Sequence, residues 1–80
     1  MRKTLKNIMT EAADYNISII DNQFGDIEFR DANGNILAQM FHREGRTWAG
    51  VTSQPDATGK KVGTKAQVAD WCMDWAANGF

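Results

Sequence analysis

The stretch from Asp26 to Thr52 constrains this chain more than any other, and its pivot is Asp31-Ala32-Asn33-Gly34. Ile27-Glu28-Phe29-Arg30 precedes the pivot, and Asn35-Ile36-Leu37-Ala38-Gln39-Met40-Phe41 follows it. Two short β-suited runs joined through Asn-Gly are a strong local hairpin signal, because Asn and Gly tolerate the backbone conformations that reverse a strand. A strand over Asp26–Arg30 places Ile27 and Phe29 on one face and Glu28 and Arg30 on the other. The next strand, Asn35 to His42, carries Ile36, Ala38 and Met40 on one side and Leu37, Gln39 and Phe41 on the opposite side. Apolar character on both sides marks a central strand, or one whose second face meets a partner.

The rest of the chain supplies material to cover that sheet. Residues 2–15 read as a helix, with Leu5, Ile8, Met9, Ala12 and Ala13 at helical spacing and Tyr15-Asn16 as its stop. Its bases come first and Glu11 and Asp14 last, against the helix dipole, so it depends on packing. Asn16 to Ile20 reads as a β-branched strand, and Asp21 to Gly25 as a turn. Beyond the Arg43-Glu44-Gly45-Arg46 turn, Thr47 to Thr52 forms a fourth strand. With Ala49 and Val51 turned to the core, Trp48 looks outward as an interface anchor; the other register buries it. Ser53 to Gly63 reads as a long polar loop of the kind that is functional or mobile. The last helix opens with a T-x-x-Q capping box, Thr64 and Gln67, and ends at Asn78-Gly79. Val68, Trp71, Cys72 and Trp75 make its inner stripe, with Asp70, Met73 and Asp74 outside.

These elements predict one α+β domain over residues 1–80. It is a four-stranded antiparallel meander in the order α-β-β-β-β-α, with both helices on one face. The expected core is Leu5, Ile8, Met9, Ile17, Ile19, Ile27, Phe29, Ile36, Ala38, Met40, Ala49, Val51, Val68, Trp71, Cys72 and Trp75. A chain of 80 residues buries only about 60% of its unfolded surface, so a stability of a few kcal/mol is expected.

Composition narrows the chemistry. The single Cys72 excludes an internal disulfide and a Cys-rich zinc site. No apolar run approaches the length that spans a bilayer and the N-terminus does not resemble a signal peptide, so a cytoplasmic protein is expected. Cys72 and His42 lack a flanking motif for a nucleophile and its base, and Asp26 and Glu28 read as a solvated strand face. Gly59-Lys60-Lys61 fails as a phosphate loop, since Gln54 and Lys61 stand where the motif needs Gly and Ser or Thr. No catalytic residue, metal site or cofactor is therefore expected, and the chain reads as a non-enzyme.

Charge is segregated instead. The net charge is −1 overall, but residues 11–31 carry a net of −5 and residues 42–65 a net of +3. One reading is a sheet-based DNA-binding accessory protein that uses Arg30, Arg43, Arg46, Lys60, Lys61 and Lys65. Another is a protein-binding module that uses the sheet face left open by the helices, with Glu28, Arg30, Leu37, Gln39, Phe41 and Trp48 as contact residues. A third is a subunit that self-associates, as a homodimer, through that face.

Tyr15-Asn16-Ile17-Ser18-Ile19 leading into a hairpin, then Asn33-Gly34, a polar segment and the Trp-containing helix at Val68-Ala69-Asp70-Trp71, resembles the type I-F anti-CRISPR inhibitors of phages and mobile elements. The resemblance covers about half of the chain, which departs from it in a longer leading helix and an extra loop. It implies binding to a host ribonucleoprotein in the host cytoplasm and occlusion of that complex's access to DNA. It carries over no site residue.

Overall fold

The computed structural model describes residues 5–52 and 60–78. Among them the order is α1 (Leu5–Asp14), β1 (Ser18–Asp21), β2 (Ile27–Arg30), β3 (Ile36–Glu44), β4 (Thr47–Thr52), β5 (Lys60–Gly63) and α2 (Lys65–Asn78). The α+β class and the antiparallel meander match the sequence reading, but the sheet has five strands in the order β1-β2-β3-β4-β5 instead of four. The added strand, β5, comes from the end of the segment read as a loop. It pairs with β4 through Trp48↔Gly63, Ala49↔Val62, Gly50↔Lys61 and Val51↔Lys60. Its composition hid it: an edge strand has one neighbour and buries little, and lysines on an edge discourage further pairing. The rest of that expected loop, residues 53–59, lies outside the described residues, as do residues 2–4 of the expected first helix.

Local chemistry sets the reversals. Helix α1 stops at Asn16, whose φ of 57° is left-handed. Ile17 N–H donates to Ala12 O at 2.9 Å and Asn16 N–H to Ala13 O at 3.3 Å. That pair of bonds is a Schellman cap, sealed by apolar contact between its ends, and Ala12 and Ile17 are both buried. The β1–β2 and β2–β3 turns are built alike. Asn22 and Asp31 each accept two backbone N–H bonds on one side-chain oxygen, from Phe24 and Asp26 and from Asn33 and Asn35 respectively. Gly25 and Gly34 then supply φ values of 83° and 85°. Asn33 is not left-handed, so the pivot hairpin is a three-residue loop with a glycine bulge and not a two-residue Asn-Gly turn.

Both helices lie on one face, α2 against the central strands β3 and β4 and α1 beside it over β1. The core comprises Ile8 and Ala12 of α1, Ile17, Ile27 and Phe29, Ala38 and Met40 of β3, and Val68, Ala69, Cys72 and Met73 of α2. Several expected core positions lie elsewhere, for reasons visible in the backbone. Met73 is fully buried because α2 meets the sheet on one side and α1 on another, which widens its apolar arc beyond a single stripe. Trp71 and Trp75 flank that arc and are only partly buried. Met9 is 60% exposed, on the margin of α1. A register shift between Phe29 and Arg30 sets Ile36 opposite Arg30, out of phase with Ala38 and Met40, and Ile36 is 41% exposed. Leu5 lies outside the described side chains.

Strand β4 is turned the other way from the expected core. Gly50 is buried against α2: a Cβ there would stand 2.7 Å from Val68 Cγ1, 3.1 Å from Cys72 Sγ and 3.3 Å from Trp71 Cζ3. Trp48, Gly50 and Thr52 therefore share the helix-covered face, and Ala49 and Val51 share the opposite one.

The start of α2 follows the capping-box prediction. Gln67 N–H donates to Thr64 Oγ1 at 3.2 Å, and Thr64 N–H donates to Gln67 Oε1 at 3.0 Å. Thr64→Ala is expected to cost about 1 kcal/mol, while Thr64→Ser stays within a few tenths. Thermal melts check this, at about 4–8 °C per kcal/mol for a domain of this size.

Candidate functional site

The sheet face away from the helices is the candidate site. Cross-strand register sets Ile20, Glu28, Gln39, Val51 and Lys60 in one row across all five strands. Phe41, Ala49 and Val62 form the next row over β3, β4 and β5. Val62 is 67% exposed and Ile20 is 40% exposed, whereas Leu37, Gln39, Phe41, Ala49 and Val51 are half-buried. Over the β3–β4–β5 corner the face dips into an open concavity of about 780 Å³. Phe41, Ala49, Val51 and Val62 line it with Arg43, Glu44, Thr47, Lys60 and Lys61.

Of the six expected partner-binding residues, Gln39 and Phe41 lie on this face opposite Val51 and Ala49, and Leu37 is half-buried at the register shift between β2 and β3. Glu28 and Arg30 share the face but are tied to each other. Arg30 Nε donates to Glu28 Oε1 at 2.9 Å, Arg30 Nη2 lies 2.8 Å from the same oxygen, and Arg30 Nη1 donates to Gly34 O at 2.6 Å. Asn22 Nδ2 donates to Glu28 Oε2 at 3.2 Å. The hydrogen bond from Asn22, then that from Arg30, holds the Glu28 carboxyl below its ordinary value of 4.5. This group braces the two asparagine- and aspartate-based turns to each other, which is a structural role.

Trp48 stands on the opposite face. Its ring meets His42 edge-on at 5.5 Å and Lys65 Nζ lies 5.1 Å from its centroid, a cation–π contact that ties β4 to the start of α2. His42 Nε2 also lies 2.7 Å from Gly45 O, which orients that ring across the turn.

The six-residue basic set is scattered. Arg43, Lys60 and Lys61 meet at the concavity, and Arg46 is exposed in the neighbouring turn. Arg30 is engaged with Glu28, and Lys65 is on the helix side over Trp48. Burial pushes the Cys72 thiol up to about 12, so it is protonated at neutral pH. Among the described residues no group of three or more His, Cys, Asp or Glu side chains is placed to hold a metal ion. No helix among them is long and apolar enough to cross a membrane.

Comparisons with family models, with curated proteins and with solved structures find no match to this chain.

The face therefore stands on its own geometry. Ala49, Val51 and Val62 were not picked out as contact residues from the sequence, because Ala49 and Val51 look like a core pair on either side of a glycine. The signal that could have found them is Gly50 itself, since a glycine inside a strand marks close approach of another element on its side. The residues that alternate with it then face away.

Proposed function

We propose that this protein is a non-enzymatic binding module that docks a partner macromolecule on the open face of its sheet. The observation that carries the proposal is the contiguous apolar surface of Phe41, Ala49, Val51 and Val62 on a face that neither helix covers. The fully buried side chains of this small domain lie in the helix-covered core, and a second, partly exposed apolar face of this kind commonly marks an interaction site. The segregated charge supports orientation of an approaching partner. Within this proposal, the resemblance to type I-F anti-CRISPR inhibitors names a host ribonucleoprotein as the partner to try first.

Affinity capture from host lysate with the wild-type chain, Val62→Glu and Lys6→Glu tests the reading. Lys6 lies on exposed α1, away from the sheet face. The expected result is a defined set of proteins retained by wild type and Lys6→Glu and lost with Val62→Glu. Equal capture by all three variants contradicts it. Light scattering on the isolated chain separates the homodimer alternative: a dimer that Val62→Glu converts to monomer makes a second copy the partner.

A further inference from the structure

We infer that the occupant of the concavity at the β3–β4–β5 corner is an acidic polypeptide segment with an apolar anchor side chain. The inference rests on the docking-face reading and specifies its partner. Phe41, Ala49, Val51 and Val62 give the concavity an apolar floor of the size that accepts one or a few side chains. Arg43 and Lys60 stand at its rim; Lys61 also lines it, but shares the parity of Gly50 and borders Asp70 and Asp74 of α2 as well. None of these three cations is ion-paired among the described residues, in contrast to Arg30. Among the described residues Glu44 is the one acid at the rim, so their lining carries a positive excess. An apolar floor inside a cationic rim complements an apolar side chain flanked by carboxylates.

Two features favour polypeptide over nucleic acid. Among the described residues the floor is mainly aliphatic, with Phe41 its single aromatic ring, and so lacks the successive stacking platforms that hold single-stranded bases. The cations form a short cluster interrupted by Glu44, whereas a phosphate backbone requires a continuous basic track.

The test pans a library of random dodecapeptides on the immobilised full chain, on Lys60→Glu/Lys61→Glu and on Val62→Glu. The milder pair Lys60→Ala/Lys61→Ala serves if charge reversal disturbs folding, which circular dichroism reports. In parallel, anisotropy of short labelled single-stranded and duplex DNA is measured at low salt. Wild type is expected to enrich peptides with Asp or Glu around an apolar residue, with at least about tenfold loss of enrichment on both the charge variant and Val62→Glu. Enrichment of uncharged or basic peptides, lost on Val62→Glu alone, leaves the docking face standing and overturns the acidic occupant. Enrichment insensitive to both variants, or none at all, overturns the occupant together with the face. DNA binding that disappears with Lys60→Glu/Lys61→Glu overturns the polypeptide in favour of nucleic acid.

Discussion

Gly50→Val is expected to unfold most of the population at room temperature, and Gly50→Ala to lower the melting temperature by several degrees or more. A Cβ at this position meets Val68 Cγ1 at 2.7 Å, with Cys72 Sγ and Trp71 Cζ3 close behind. Val68 and Cys72 are fully buried, so neither has open space to retreat into. Overpacking of this kind costs about 1–3 kcal/mol, and alanine returns only about 0.5–1 kcal/mol of backbone entropy relative to glycine. The balance is unfavourable for Ala, and the two further methyl groups of Val make it worse. For a domain whose total stability is a few kcal/mol, that is a large fraction. Combining Gly50→Ala with Val68→Ala should cost less than the sum of the single changes, because the second removes the atom the first strikes. Thermal melts of the four proteins check this. A neutral Gly50→Ala, or strict additivity, would remove α2 from the Gly50 side of β4.

The second large effect is expected at Phe29. Its side chain is 1% exposed in the centre of the core, so Phe29→Ala should cost about 3–5 kcal/mol, nearly the whole stability of the domain. Phe41 is the informative contrast. It lies on the open face and is half-buried, so Phe41→Ala should cost only about 1 kcal/mol. Urea denaturation of both variants measures the difference. Similar losses at the two positions would mean that the open face is packed as firmly as the helix-covered one.

What was legible in the sequence is what short-range chemistry decides. The pivot turn, the stop at Asn16 and the capping box at Thr64 and Gln67 each depend on a few adjacent residues, and their residue types state the backbone they need. The inward set Ile27, Phe29, Ala38 and Met40 was legible too, because large apolar side chains alternate cleanly with polar ones on β2 and fall in phase on β3. What failed depends on contacts across the fold. Ile36 was assigned inward by simple alternation, and a one-residue register shift broke the alternation. Ala49 and Val51 were assigned to the core because side chains show in a sequence and the space over Gly50 does not. Met73 was assigned outward because a single stripe was assumed for α2, whereas α1 gives that helix a second buried flank. Strand β5 was missed because Lys60-Lys61-Val62-Gly63 lacks apolar mass, which an edge strand does not need.

The same contrast governs the site. Strand parity alone places Gln39 and Phe41 on the open face. It places Glu28 and Arg30 there as well, but cannot show that they are spent on each other and on Gly34 O. Of the two registers open to Trp48, the one with Ala49 and Val51 inward sends it outward, and Gly50 against α2 selects the other for all three.

That the sheet face opposite the helices is open is the claim on which the functional reading depends, and methyl NMR with a soluble paramagnetic probe tests it most directly. In the monomeric chain the methyl groups of Val51 and Val62 should broaden strongly, and Ala49 should broaden measurably. Those of Val68, Ala69 and Ile8 should be nearly unaffected. Protection of Ala49, Val51 and Val62 equal to that of Val68 would show the face to be covered within the chain itself, and would contradict the account.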